Sequence, residues 1–243
     1  MVKVVINFKD NLTDLLPAGK KSNTHDVTFS GKRSVKDLIE SFGIPHTETG
    51  SIRVNEKTVD FSYILQDGDL IEVTPVLSGK PLPHPGETRL LCDEHLWKLC
   101  RRLRLLGFDT AYDKKWDDSQ LAAISAKEDR VLLTRDRGLL MRKAVSQGIC
   151  IRSTDAEEQV REVLDRLRLK NRCRPFSLCL LCGGGLKEIA RGDEDFEKIK
   201  PKIPEKVLSR CKVYHVCLTC GQVYWQGSHY KKLVEKVRKY IKD

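Results

Sequence analysis

Two short cysteine motifs restrict what this chain can fold into more than any other feature. Cys179-Leu180-Leu181-Cys182-Gly183 and Cys217-Leu218-Thr219-Cys220-Gly221 are separated by 34 residues. Each Cys-x-x-Cys turns tightly enough for both thiolates to face one ion, and the glycine that follows relieves the turn. Two such pairs make the closed tetrahedral site of structural zinc, whereas a redox dithiol usually comes as a single pair. Residues 171–243 are therefore expected to form a zinc ribbon on Cys179, Cys182, Cys217 and Cys220, ending in a basic helix. Cys173 and Cys211 fall outside the paired spacing and read as packing thiols. The charged stretch Arg191 to Lys202 reads as a loop.

After the second knuckle comes Val223-Tyr224-Trp225-Gln226-Gly227-Ser228-His229-Tyr230. Tyr224, Trp225 and Tyr230 either pack on a small ribbon or stack bases. His229, with Ser228, either caps the terminal helix or touches a phosphate. Lys231, Lys232, Lys236, Arg238 and Lys239 make that helix basic.

Charge is divided unevenly over the 243 residues, whose formal total is +10. Residues 1–78 hold 9 Lys and Arg against 11 Asp and Glu, a net of −2, and the remainder holds 35 against 23, a net of +12. A basic portion beside a neutral one points to a polyanionic partner for the basic portion alone. The start of the chain lacks the pattern of a secretory signal, and no run of 18 apolar residues is present to span a membrane. The expectation is a cytoplasmic protein with no membrane partner, in a compartment that keeps thiols reduced.

The first 78 residues read as one domain. Val2 to Phe8 alternates as a strand does, and His25 to Ser30 is a second strand. Ser34 is placed to cap a helix in which Val35, Leu38, Ile39 and Phe42 share a face, and Gly43 and Pro45 end it. Ile52-Arg53-Val54, a turn at Asn55-Glu56-Lys57, a turn at Gln66 to Asp69 and the strand Leu70 to Val76 complete the order. This ββαββ order, closing on Asp-Gly-Asp-Leu-Ile-Glu-Val-Thr-Pro, resembles the ubiquitin-like β-grasp fold, and most of all its sulfur-carrier branch. Sulfur carriers end in a free Gly-Gly, where this chain reads Val76-Leu77-Ser78-Gly79-Lys80 and continues. A docking or packing domain that engages a protein partner fits better than sulfur transfer.

Residues 79–87 hold three prolines and two glycines and read as a linker. From Arg89 the pattern becomes α/β. Arg89-Leu90-Leu91-Cys92 is an apolar strand, Glu94 to Leu106 a helix stopped by Gly107, and Phe108 to Tyr112 a second strand. Asp117 or Asp118 caps a helix from Ser119 to Lys127. Val131-Leu132-Leu133 is a third strand, followed by a helix to about Gln147, and Gly148 to Arg152 is a fourth. Asp155 opens a last helix through Leu167. This alternation predicts a mostly parallel sheet over residues 88–170.

In such a sheet the loops after the strands lie along one edge. Asp93, Asp117 or Asp118, Asp136 and Asp155 all stand in those loops. Crowded carboxylates would recruit a hard cation, Mg²⁺ or Mn²⁺, able to polarise a phosphate and acidify a water. The same residues also read simply as N-caps. The arginines favour the first alternative, because Arg135 and Arg137 flank Asp136 and Arg101, Arg102 and Arg104 line the first helix, where they supply phosphate contacts.

The run Leu91-Cys92-Asp93 through Leu103-Arg104-Leu105-Leu106-Gly107-Phe108-Asp109-Thr110 resembles the Mut-seven C-terminal RNase family, as does Arg130-Val131-Leu132-Leu133-Thr134-Arg135-Asp136-Arg137. That family joins a PIN-like nuclease domain to a zinc ribbon, often behind a ubiquitin-like domain, and the resemblance covers the whole chain. It implies metal-dependent hydrolysis of RNA. On the matching positions Asp93 and Asp136 hold Mg²⁺ or Mn²⁺, with Asp117 or Asp118 third and Asp118 taken as the ligand. Arg101, Arg104, Arg135, Arg137 and His229 are the expected RNA contacts. Cys92 and the Glu94-His95 pair stand where the family carries small or apolar residues. The rival expectations are an RNA-binding module without catalysis, associated with ribosome or tRNA, and a sulfur-transfer or RNA-modification adaptor.

Overall fold

A computed structural model describes residues 1–76 and 88–242. The linker expected at 79–87 lies outside the described residues. In chain order the elements are β1 (Val2–Phe8), β2 (Thr24–Phe29), α1 (Val35–Ser41), β3 (Thr49–Val54), β4 (Lys57–Val59), β5 (Leu70–Pro75) and β6 (Leu90–Cys92). Next come α2 (Trp97–Leu105), β7 (Thr110–Ala111), α3 (Asp118–Glu128), β8 (Val131–Thr134), α4 (Arg137–Leu140), β9 (Gly148–Cys150) and α5 (Ala156–Arg166). The ribbon adds β10 (Leu186–Ala190), α6 (Phe196–Ile199), α7 (Glu205–Leu208), β11 (Val213–Cys217), β12 (Val223–Trp225) and α8 (Ser228–Lys242). Contacts divide the chain into two compact units, Met1–Leu82 with Trp116–Arg152 and Pro83–Lys115 with Ser153–Asp243.

In the first unit, β1 to β5 form a mixed sheet of order β2-β1-β5-β3-β4, with β1 and β5 parallel and the other pairs antiparallel. Burial along β1 falls on Val4, Ile6 and Phe8, because alternate side chains point to one face of a strand. Val35, Leu38 and Ile39 of α1 are buried, and the Ser34 hydroxyl accepts the Asp37 amide at 3.1 Å, the expected cap. Asn55 and Glu56 both adopt positive φ in the hairpin between β3 and β4, the geometry of a tight type I′ turn. The first domain is thus the β-grasp fold that its element order implied.

The same unit holds α3, β8, α4 and β9. All four residues of β8 are buried, and β8 pairs in parallel with β9. Strands buried on both faces lose the alternation seen in β1. Gly148 opens β9 because a side chain there would meet Leu140 at 2.4 Å. The helix expected to run to about Gln147 is in fact only the single turn α4. Its continuation is replaced by a turn in which the Val145 amide donates to the Arg142 carbonyl, burying the Val145 side chain completely.

In the second unit β6 and β7 pair in parallel, so the α/β region is built on parallel strands as its alternation predicts. The helix expected from Glu94 begins as a 3-10 turn, Glu94–Leu96, and becomes α-helical at Trp97. Leu99, Cys100 and Leu103 are its buried face. Gly107 ends it at φ +89, and a side chain there would lie 2.3 Å from the Arg174 carbonyl oxygen. The strands β10, β11 and β12 form an antiparallel sheet. The stretch expected to be a charged loop, Arg191 to Lys202, folds instead into α6 and a 3-10 turn at Lys200–Lys202, and α7 follows it. Its few apolar residues explain the difference: Phe196, Ile199 and Ile203 pack with Tyr214, Ile189 and Val223 against the ribbon sheet.

Candidate functional site

The four cysteines of the two knuckles come together. Cys179 Sγ lies 3.6 Å from Cys220 Sγ, Cys182 Sγ lies 3.4 Å from Cys217 Sγ, and all four sulfurs are within 4.8 Å of one another. A tetrahedral zinc with Zn–S bonds of 2.3 Å would space its sulfurs by roughly 3.8 Å, so the donor set fits such an ion. Gly183 and Gly221 adopt φ +80 and +69, and their amides bond back to the Cys179 and Cys217 carbonyls at 2.9 and 3.0 Å. The Thr219 and Cys220 amides point at Cys217 Sγ, each at 3.4 Å. Among the described residues this is the one group of three or more His, Cys, Asp or Glu side chains close enough to share an ion.

Tyr224 was expected only to pack or to stack, and its hydroxyl has a third role. It lies 3.1 Å from Cys179 Sγ and accepts the Leu180 amide at 3.1 Å. Burial pushes the Cys179 thiol up, but the Tyr224 hydroxyl and the Cys182 and Leu181 amides outweigh it and bring the thiol down to about 6. No spacing rule links a tyrosine to a thiolate 45 residues away. Cys173 and Cys211 stay outside the cluster, as expected.

The acidic residues all occupy helix starts. Asp93 is buried, and its carboxylate accepts the His95 amide at 2.9 Å directly after β6. Asp117 caps α3 in a full capping box with Gln120. Asp118, the first residue of α3, is exposed and lies 3.6 Å from Arg142. Asp136 caps α4, accepting the Gly138 and Leu139 amides at 2.7 and 3.3 Å. Both bonds fall on Oδ1, so Oδ2 of this exposed residue is not used by the cap. Asp155 caps α5 in the same way. The N-cap reading therefore holds at Asp93, Asp117, Asp136 and Asp155, and not at Asp118. It leaves a carboxylate oxygen over at Asp136, so capping and a second task are compatible there.

Two of the arginines expected on RNA are committed elsewhere. Arg104 is 2% exposed, its Nε donates to the Thr110 carbonyl at 2.9 Å, and Nη1 donates to the Leu181 carbonyl inside the first knuckle. Buried in this way, it ties α2 to the ribbon and is not placed to meet a phosphate. Arg137 donates to the Leu15 and Gly43 carbonyls of the β-grasp domain. Arg102 bonds Glu157 at 2.8 Å. Arg101 is exposed and lies over the Trp97 ring at 5.7 Å. Arg135 and His229 are exposed, and their side chains make no hydrogen bond or ion pair among the described residues.

Glu157 is a hub that no motif announced. It receives Arg102, Lys236 at 2.5 Å and the Tyr240 hydroxyl, joining α2, α5 and α8. Burial pushes its carboxyl up, but these three donors outweigh burial and hold it at about 2.

Two family models agree with this architecture. The model of the Mut7-C RNAse domain matches residues 88–237, and the model of the Mut7-C ubiquitin domain matches residues 1–80. No curated protein matches. Among solved structures, a chain described as "Putative molybdopterin converting factor, subunit 1 from Pyrococcus furiosus" is 26% identical with a TM-score of 0.25. It covers 31% of this chain and 98% of its own length.

Proposed function

This chain belongs to the Mut7-C RNAse domain family, and from that membership we propose that it hydrolyses RNA phosphodiester bonds with the aid of a divalent metal. The match of an RNase domain to residues 88–237 carries the reading. Asp93, Asp136 and either Asp117 or Asp118 are the carboxylates assigned to it. Their oxygen-only donor set suits Mg²⁺ or Mn²⁺, and the unused Oδ2 of Asp136 is a ligand that capping leaves available. When bound, such an ion polarises the phosphate and makes an attacking water more acidic.

The protein's own groups fix and orient. Capping holds Asp136 Oδ1 on two backbone amides, which locks the carboxylate rotamer before any substrate arrives. Arg135, exposed next to it in sequence and without a side-chain partner among the described residues, is assigned to the RNA backbone. Arg101 and His229, both exposed, are the other RNA contacts of this reading. Zinc in the four-cysteine site is structural, since four protein thiolates leave no open position for substrate. The β-grasp domain serves first as packing for its own chain, through Leu15 and Gly43 on Arg137, and second as a surface for a protein partner. No described helix is long and apolar enough to cross a membrane. The nine unpaired cysteines suit a reducing compartment, and the cytoplasm is the location assigned.

The test is cleavage of end-labelled RNA with Mn²⁺ or Mg²⁺, comparing wild type with Asp136→Asn. The expected result is metal-dependent cleavage that drops to background in the variant. Equal rates would remove Asp136 from the reaction, and intact RNA binding with no cleavage by wild type would replace hydrolysis with a binding function.

A further inference from the structure

Beside the ribbon sheet, at the start of α8, lies a cavity of about 400 Å³. Aromatic rings make up much of its wall: Phe176, Tyr224, Trp225 and Tyr230, the first and last with ring centroids 5.0 Å apart. Small-ligand pockets run from roughly 300 to 1,000 Å³, so this one suits a single planar group of nucleoside size and is too small for a folded segment. Its apolar wall carries polar groups that the protein does not use. The Trp225 indole N–H and the side chains of Gln226, Ser228 and His229 all line it, and none has a hydrogen-bond partner among the described residues. Gln226, Ser228 and His229 are exposed and Trp225 is half-buried, so these groups are open at the cavity to a ligand's hydrogen bonds.

We propose that this cavity binds one unpaired base of single-stranded RNA, with the adjoining phosphate held at the start of α8. The ligand class rests on the ribonuclease reading above. Stacking on aromatic rings is how bases are held without regard to sequence, and the free indole and amide offer hydrogen bonds to a base edge. The charge around the mouth matches a phosphate. Helix α8 carries six Lys or Arg and one Glu, and Lys231 and Lys232 near its N-terminal end are exposed. An apolar peptide would fill the cavity but would gain nothing from that charge. Duplex RNA keeps its bases stacked inside and cannot place one in the cavity.

The test uses the full chain carrying Asp136→Asn, zinc-loaded and without added Mg²⁺ or Mn²⁺, so that RNA stays intact. Binding is measured by anisotropy for a labelled single-stranded oligoribonucleotide, the same strand made abasic, and a blunt duplex. The expected result is tight binding of the single strand and at least about tenfold weaker binding of the abasic strand and of the duplex. Adding Tyr230→Ala should lower affinity for the single strand about tenfold, and Tyr230→Phe should restore it, because the ring and not the hydroxyl stacks. Equal affinity for abasic and normal strands, or for duplex and single strand, would overturn the proposal in favour of phosphate contacts alone, and the abasic arm needs no variant at Tyr230. Unchanged affinity in Tyr230→Ala would overturn it as well. Loss of cleavage by the wild-type chain would sink the ribonuclease reading while leaving these affinities to judge the pocket separately.

Discussion

The His46 Nε2 atom stands 2.8 Å from the Val145 carbonyl oxygen, while Nδ1 of the same ring stands 2.8 Å from Glu40 Oε1. One imidazole of the β-grasp domain thus engages a carbonyl 99 residues further along the chain. The Glu48 carboxylate reinforces the join by accepting the Cys150 amide at 2.7 Å.

Removing this ring should weaken the first unit as a whole. His46→Ala leaves two half-buried acceptors without their partner, a cost of about 1–3 kcal/mol. Chemical denaturation of the full chain should show the midpoint falling with its slope unchanged. An unaltered midpoint would mean that the contact contributes nothing to stability.

Arg104 should prove structural. Arg104→Ala strands the buried Thr110 carbonyl and frees that of the exposed Leu181, and a loss of about 1–3 kcal/mol is expected. Arg104→Lys should rescue little, because one ammonium cannot reproduce the guanidinium fork. Since Leu181 lies inside the first knuckle, both variants should also release metal faster to a chelator, followed with a zinc-sensitive dye. Wild-type release rates in Arg104→Ala would separate this arginine from the knuckle.

The Glu157 hub sets an acid limit. Its folded value of about 2 lies below the ordinary carboxylate value, so its contribution is complete above that ordinary value, about 4.5, and is lost as pH falls toward 2. The side chain is a third exposed, and after allowing for solvent screening the contribution is on the order of 1–2 kcal/mol. Thermal melts of Glu157→Gln should therefore lie below wild type at pH 7, with the gap closing between pH 4.5 and pH 2. A gap that persists at pH 2 would assign the effect to packing.

The four cysteines should hold one zinc per chain, measured by atomic absorption. Cys182→Ser should lower that occupancy, and stripping the ion should loosen the sheet of β10, β11 and β12, with loss of the near-ultraviolet signal of Tyr214 and Trp225. A metal-free chain with an unchanged near-ultraviolet spectrum would show that the small apolar core suffices alone.

Much of this protein is decided by neighbours in sequence. Alternation in β1, the Ser34 cap, the capping box at Asp117 and the two Cys-x-x-Cys-Gly turns depend on residues a few positions apart, and each forms where local chemistry places it. Local pattern misled where apolar residues were sparse, as at Phe196, Ile199 and Ile203, or where a helical pattern was cut short so that Val145 could be buried. The fates of the arginines were not legible at all. Arg104 and Arg135 look alike in sequence, yet one is buried on a carbonyl 77 residues away and the other is left in solvent. A long cationic side chain takes whatever acceptors the folded backbone brings within reach, and only the tertiary structure decides which those are.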